Sequence, residues 1–290
     1  MATEIRDAGG GLIGYQLSHT AQQVDDGLDA VATKAAQTDL AALQNTVDEL
    51  QEDTESSINH RNIYRGKNLG TSVTEAQKAA IQSGTFDDLF IGDYWTINNV
   101  DWIIADMDYF YRVGNTNFTK HHLVIVPSTI LYSYVMNDTN TTEGGYVGSK
   151  MYTDGLTEAK TIISAAFGNL VQSHKDYLVN AVSDGFPSAG AWYDSTVELM
   201  NEVMLYGCYH YASMEHGSSD VTKYATGKQQ LSLFRLSPSA INIRLTYLLR
   251  DVVSSTLFAG VGSNGSTSCY AAGHSNGVRP YFVLGGTATT

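Results

Sequence analysis

From Leu28 through Lys67 the chain contains no proline and a single glycine, Gly66, and this absence restricts its fold more than any other feature. A long stretch rich in Ala, Gln and Leu favours helix, because those side chains lose little freedom on entering one. Apolar residues fall at Leu17, Val24, Leu28, Val31 and Ala35, then at Leu40, Leu43, Val47 and Leu50. The spacing predicts a coiled-coil seam. The two sets do not share one register, and a one-residue slip near Ala35 and Ala36 means either a local adjustment of the supercoil or the meeting of two helices. Asp25, Asp26, Asp29, Asp48, Glu49, Glu52, Asp53 and Glu55 make the solvated opposite face. Residues 1–60 are therefore expected to be a helical oligomerisation and attachment segment, joined through Val24, Leu28, Val31, Leu40, Leu43, Val47 and Leu50. The plainer alternative is one amphipathic helix packed on its own domain.

Residues 61–85 are expected to form a short joint. Ser72 and Glu75 fit a capping box, Ala76, Ala79, Ala80 and Ile81 follow, and Gly84 is suited to close the helix in a left-handed conformation. From Phe86 the pattern changes to β-rich runs. TI, then Asn98 and Asn99, then VDWIIA predicts a hairpin, since asparagine tolerates the positive φ of tight turns. HHLVIVPS predicts a further strand with Leu123 to Val126 buried. Two helices are expected next: Leu156, Ala159, Ile163, Ala166 and Phe167 before Gly168, then Val197, Met200 and Met204, started by Ser195 with Glu198 and ended by Gly207. The intervening HKDYLVNAVSDGFPSAGAWYDS reads as strand followed by loop. In the last quarter LSLFRL, LTYLL and YFVL read as strands separated by Ser, Gly and Asn clusters. The fold class expected is α+β, with a helical coiled-coil stalk at residues 1–60 and a mixed α+β domain at residues 86–290.

Charge separates the parts further. The chain carries −13, yet from Thr226 onward Lys228, Arg235, Arg244, Arg250 and Arg279 face Asp251 alone. An isolated basic segment with a Gly/Ser/Asn-rich loop suggests recognition, although arginines commonly pair with carboxylates of their own chain. The overall acidity argues against nucleic acid as a partner, which needs a basic face. No apolar run reaches the length of a membrane span, and the opening MATEIRDAGGG lacks the features of a signal peptide.

Reaction chemistry finds little support. His121 and His122, adjacent on a strand, point to opposite faces and cannot chelate one ion unaided. His174, His210, His216 and His274 are scattered, Glu215 and Asp220 beside His216 make only a chance triple, and neither a phosphate loop nor a GxSxG turn is present. Cys208 and Cys269 are too few for a disulfide framework and are expected to be small buried residues. No cofactor, metal or catalytic residue is expected.

The segments IGDYWTINNVDWIIADMDYFYR and TKHHLVIVPSTILYSYVMNDTNTTEGGYVGSKMY, with YLLRDVVSS and GVRPYFVLGG near the end, resemble a family of domains on virion proteins of phages and prophages of Gram-positive gut bacteria. The resemblance covers roughly residues 86–286. Its most specific parts are Tyr247, Leu249 and Arg250, with Tyr where related sequences usually carry Trp, and Gly277-Val278-Arg279-Pro280. It implies a C-type-lectin-like or formylglycine-generating-enzyme-like head, although the close cysteine pair of formylglycine chemistry is missing. It also implies a tail-fibre or spike protein that binds a host-surface glycan or protein as a homotrimer.

On that reading the receptor-binding residues are Arg244, Tyr247, Ser263, Asn264, Ser268, Tyr270, His274 and Ser275. The N-terminus would attach to other virion proteins, with no nucleic acid bound and no membrane insertion. Similarity to variable proteins of diversity-generating retroelements further implies that residues 241–280 are a diversified region. A structural virion component without receptor binding is the main alternative, and a surface-glycan-degrading enzyme a third.

Overall fold

The computed structural model describes residues 3–16, 21–55, 60–116, 118–212 and 229–286. The chain divides into two compact units, Met1–Thr54 and Glu55–Thr290. Its described part is mixed α+β, mostly sheet with few helices.

The first unit opens with a hairpin that the glycine-rich opening had concealed, β1 (Thr3–Arg6) against β2 (Leu12–Gln16). Asp7 organises its turn by accepting the N–H groups of Gly9 at 2.9 Å and Gly11 at 2.7 Å, while Gly10 takes φ 82°. The helix α1 (Ala21–Glu55) then runs without interruption through Ala35 and Ala36, so of the two alternatives at the register slip two helices do not meet there. Leu28, Val31, Leu40 and Leu43 are 64%, 67%, 65% and 62% exposed. Leu17 and the side chains of Val24 and Leu50 lie outside the described residues. Since each residue turns the helix by about 100°, Leu28 and Val31 project roughly 120° away from Leu40, Leu43 and Val47. A single straight partner helix cannot cover both sets.

In the second unit α2 (Glu75–Ser83) is capped by Thr74 and Gln77, two residues beyond the expected box: Thr74 Oγ1 accepts from Gln77 N–H at 3.2 Å and Gln77 Oε1 from Thr74 N–H at 3.0 Å. Gly84 closes it at φ 75°. The expected hairpin follows as β3 (Tyr94–Ile97) and β4 (Val100–Met107), with Asn98 and Asn99 at φ 53° and 62°. The strand β5 (His122–Pro127) is buried throughout. After β6 (Tyr132–Tyr134), one wide helical turn leads into α3 (Leu156–Phe167), which ends at Gly168 as its sequence predicts.

Two segments depart from expectation for tertiary reasons. Following the short β7 (Val171–Gln172), residues 174–195 form a full hairpin of β8 (His174–Ser183) and β9 (Phe186–Ser195). The small residues of β9 resemble a loop, but Gly190 makes room for the Tyr177 ring, which would lie 2.4 Å from an added Cβ. The expected helix start at Ser195 and Glu198 is instead β10 (Val197–Leu199), because those residues pair with the final strand, β15 (Pro280–Gly285). Helix begins later, at α4 (Glu202–Tyr206), where Asn201 accepts from Met204 N–H at 2.8 Å and Gly207 provides the stop.

LSLFRL is also helical, as α5 (Ser232–Leu236). There Asp106 accepts the Ser232 N–H at 2.9 Å, a contact across 126 residues that local alternation cannot register. Before β15 come β11 (Tyr247–Val252), β12 (Leu257–Val261), β13 (Thr267–Ala271) and β14 (Asn276–Val278). One sheet has the order β10-β15-β5-β4-β3, with β7 also pairing to β15, and the other β13-β12-β11-β14-β6. Their core centres on aromatic rings in edge contact, Trp102 with Phe167 at 5.6 Å and with Phe282 at 5.7 Å.

Two of the basic-segment arginines belong to this core. Arg279, 1% exposed, donates to Pro127 O and Ala240 O at 3.0 Å and to the Tyr247 hydroxyl at 3.3 Å. Arg250 reaches Asp176 at 3.3 Å and the Tyr281 hydroxyl at 3.1 Å. Asp176 Oδ2 also pairs with His174 Nε2 at 3.0 Å and accepts from Tyr281 at 2.5 Å. Burial pushes the Asp176 carboxyl up, but Arg250 and then His174 more than offset this and hold it at about 2. Nearby Glu198, which accepts the Tyr146 hydroxyl at 2.7 Å, is pushed up to about 7 by burial and by the Asp176 charge. Among the described residues no helix is long and apolar enough to cross a membrane.

Candidate binding surface

Apart from Tyr247, the expected receptor-binding residues lie on β13, the outer strand of the second sheet, or at its two ends, and do not form one cluster. At the first end the 262–266 loop is closed by Gly262 N–H to Ser266 O at 2.8 Å, while Asn264 Oδ1 accepts both the N–H and the hydroxyl of Ser266. This leaves Ser263 and the Asn264 amide group exposed. Beside the loop, Gly265 packs so closely on Asn242 that an added Cβ would lie 2.8 Å from the Asn242 Cβ. Asn242 in turn accepts the Arg244 N–H at 3.1 Å, and Arg244 is exposed at φ 63°.

Along the strand, Ser268 is half-buried opposite Gly260. Tyr270 lies across Gly260, where an added Cβ would meet its ring at 2.5 Å, and its hydroxyl donates to Val261 O at 3.2 Å. At the second end His274 and Ser275 are exposed, with the His274 ring 6.4 Å from that of Tyr270. Gly273 N–H ties this turn to Asn140 at 3.0 Å. A cleft of about 320 Å³ is formed nearby by Thr141, Thr142, Glu143, Asp184 and Ser255, among others.

Tyr247 does not belong to this surface. Fully buried, it donates to Ile241 O at 3.0 Å and receives Arg279, so its ring positions structure and cannot meet a receptor. The two free cysteines are less buried than expected: Cys208 is exposed, following the helix-ending Gly207, and Cys269 is half-buried on the outer strand. Glu215, His216, Asp220 and Lys228 lie outside the described residues.

Tyr206 and His210 join the first end, and no local pattern singled them out. The Tyr206 hydroxyl donates to Gly265 O at 3.2 Å, and burial holds its pKa above the usual tyrosine range. The His210 ring lies 5.6 Å from that of Tyr206. What fixes this loop is Glu202, whose buried carboxylate accepts the N–H groups of His210 at 3.0 Å, Tyr211 at 3.2 Å and Ala212 at 3.0 Å. Hydrogen bonds to a charged acceptor contribute roughly 1.5–3 kcal/mol each in favourable cases. Glu202→Ala is expected to lower stability by about 2–3 kcal/mol and to open residues 207–212 to protease. Limited proteolysis of the full chain reads this, and an unchanged cleavage pattern would refute the assigned role.

The histidine pair separates as its strand geometry demands. His121 Nδ1 lies 2.7 Å from Asp108 Oδ2, whereas His122 is buried and gives its backbone N–H to Asp108 Oδ1 at 3.0 Å. Burial pushes the His122 imidazole down to about 3. His174, Asp176 and Glu198 would suit acid–base chemistry by type, but all three are sealed in the core. The surface groups are instead rings, amides, hydroxyls and the exposed Arg244 guanidinium, which suit reversible recognition of a polar partner. No family model, curated protein or solved structure matches the chain.

Proposed function

We propose that this chain is a receptor-binding tail fibre or spike of a phage virion, in which α1 joins copies and a lectin-like C-terminal unit contacts a host-surface glycan or protein. The observation that carries the proposal is the apolar set on α1, with Leu28, Val31, Leu40 and Leu43 all more than 60% exposed. Fully burying a leucine or valine contributes roughly 1.5–3 kcal/mol, so these side chains favour association with further copies. Their division into two directions favours more than one neighbour, and a homotrimer supplies two. Linking copies raises the effective concentration for each later contact, so weak recognition by Asn264, Tyr270 or His274 becomes useful adhesion. The resemblance over residues 86–286 supports the virion setting, with α1 directed toward other virion proteins. The sealed position of the acid–base groups favours binding over turnover.

The test combines solution mass and adhesion. The full chain is expected to be trimeric, and Leu40→Glu with Leu43→Glu is expected to yield monomers that bind candidate gut bacteria at least roughly 100-fold more weakly. A monomeric unmodified chain would refute the proposal. A trimer with no affinity for cells would favour a structural virion component, and cleavage of surface glycan would favour the enzyme reading.

A further inference from the structure

A second cleft, of about 340 Å³, is lined by Arg61, Asn62, Gln229, Gln230, Ser232 and Arg235. We propose that it binds an anionic sugar, a ring bearing a carboxylate or a phosphate ester, with the guanidinium groups taking the charge and the Gln229 and Gln230 amides taking ring hydroxyls. All six residues carry polar groups at their tips, which suits a hydroxylated, charged ligand. The two arginines give it a positive character that contrasts with the −13 of the chain.

Arg61 is oriented before any ligand arrives. Its Nε donates to Asp106 Oδ1 at 2.6 Å, and Asp106 is fully buried and further held by the N–H groups of Met107 at 2.8 Å and Ser232 at 2.9 Å. Anchoring at Nε keeps the terminal nitrogens together as a planar donor edge, the geometry that matches carboxylate and phosphate oxygens. Arg61 Nη2 also reaches Gln229 Oε1 at 3.5 Å. Across the cleft Arg235 Nη2 donates to Asn62 Oδ1 at 3.0 Å and approaches Ser232 Oγ at 3.5 Å. Gln230 Nε2 is committed to Leu205 O at 2.6 Å, which leaves its carbonyl oxygen to accept from a hydroxyl. Asp106 balances one of the two cations, which leaves a positive charge for the anionic group of the ligand to meet.

None of the six residues belongs to the surface beside β13, so this proposal and the fibre reading can fail separately. Calorimetric titration of the full chain would use glucuronate, glucose 6-phosphate, glucose and inorganic phosphate as probes. Arg235 is exposed and suitable for replacement, whereas removal of Arg61 would strand buried Asp106. Glucuronate or glucose 6-phosphate is expected to bind at least roughly tenfold more tightly than glucose, and Arg235→Ala to weaken that binding about tenfold, with partial recovery in Arg235→Lys. Glucose binding as tightly as both anionic sugars, no binding of either, or indifference to Arg235→Ala would overturn the proposal. Inorganic phosphate binding as tightly as the sugar phosphate would overturn the sugar assignment by showing that charge alone is read.

Discussion

Replacing Asp176 with alanine is expected to destabilise the Glu55–Thr290 unit by about 3–5 kcal/mol, the loss typical when one partner of a buried ion pair is removed. The carboxylate is fully buried and is the shared partner of Arg250, His174 and Tyr281. Its removal leaves the Arg250 guanidinium, 3% exposed as a residue, without that charge. For a unit of this size each kcal/mol corresponds to about 2–4 °C in Tm, so the melting point should fall by roughly 6–20 °C. Adding Arg250→Met to Asp176→Ala should recover part of the loss, because the second change removes the stranded charge. Thermal unfolding of the two variants reads the difference, and equal or additive losses would show that the charge pair is not the cause. Since the folded Asp176 pKa, about 2, lies below the ordinary 3.8, its contribution is present above the latter and is lost as pH falls through the former.

Glu198→Gln should reshape the pH dependence of stability. Glu198 has a folded pKa of about 7 against an ordinary 4.5, so it holds a proton that the unfolded chain has released, and stability falls as pH rises between those values. His122, at about 3 against 6.5, does the reverse: the unfolded chain binds a proton that the folded protein excludes, and stability rises with pH across that range. Between pH 4.5 and 6.5 the two slopes oppose each other and nearly cancel. Glutamine keeps an oxygen for the Tyr146 hydroxyl but cannot titrate, so the variant should show the His122 slope without the opposing Glu198 one. Its stability should rise by about 2–3 kcal/mol from pH 4.5 to 6.5, and its standing relative to the unmodified protein should improve by about 3 kcal/mol between pH 4.5 and 7. Denaturant titrations at several pH values measure this, and parallel profiles for the two proteins would sink the assignment.

The candidate surface was only partly legible in the linear chain. Gly262 to Ser268 contains the small polar residues of an exposed loop, and the structure places Ser263 and Asn264 at a loop tip. Tyr247 is of the same residue type as Tyr270, yet one is buried beneath Arg279 and the other lies half-buried on the outer strand. Composition cannot separate them, because their difference is set by strand position in a sheet assembled from distant segments. The Arg61 and Arg235 cleft was still less visible, since its bonded residues Arg235 and Asn62 stand 173 positions apart.

What the sequence determined by itself was local: the Asn98-Asn99 turn, the buried Leu123 to Val126 run, the stops at Gly84, Gly168 and Gly207, and the long helix α1, free of proline and glycine from Leu28 onward. Each rests on the conformational preference of a few neighbouring residues or on a repeated apolar period, energies that act within one element. The tertiary structure alone decided that Val197–Leu199 pairs as a strand, that Ser232–Leu236 turns as a helix, and that Arg250 and Arg279 are interior groups. Those outcomes depend on partners far along the chain, because a strand needs an edge to pair with and a buried charge needs an opposite charge or a set of carbonyls close by.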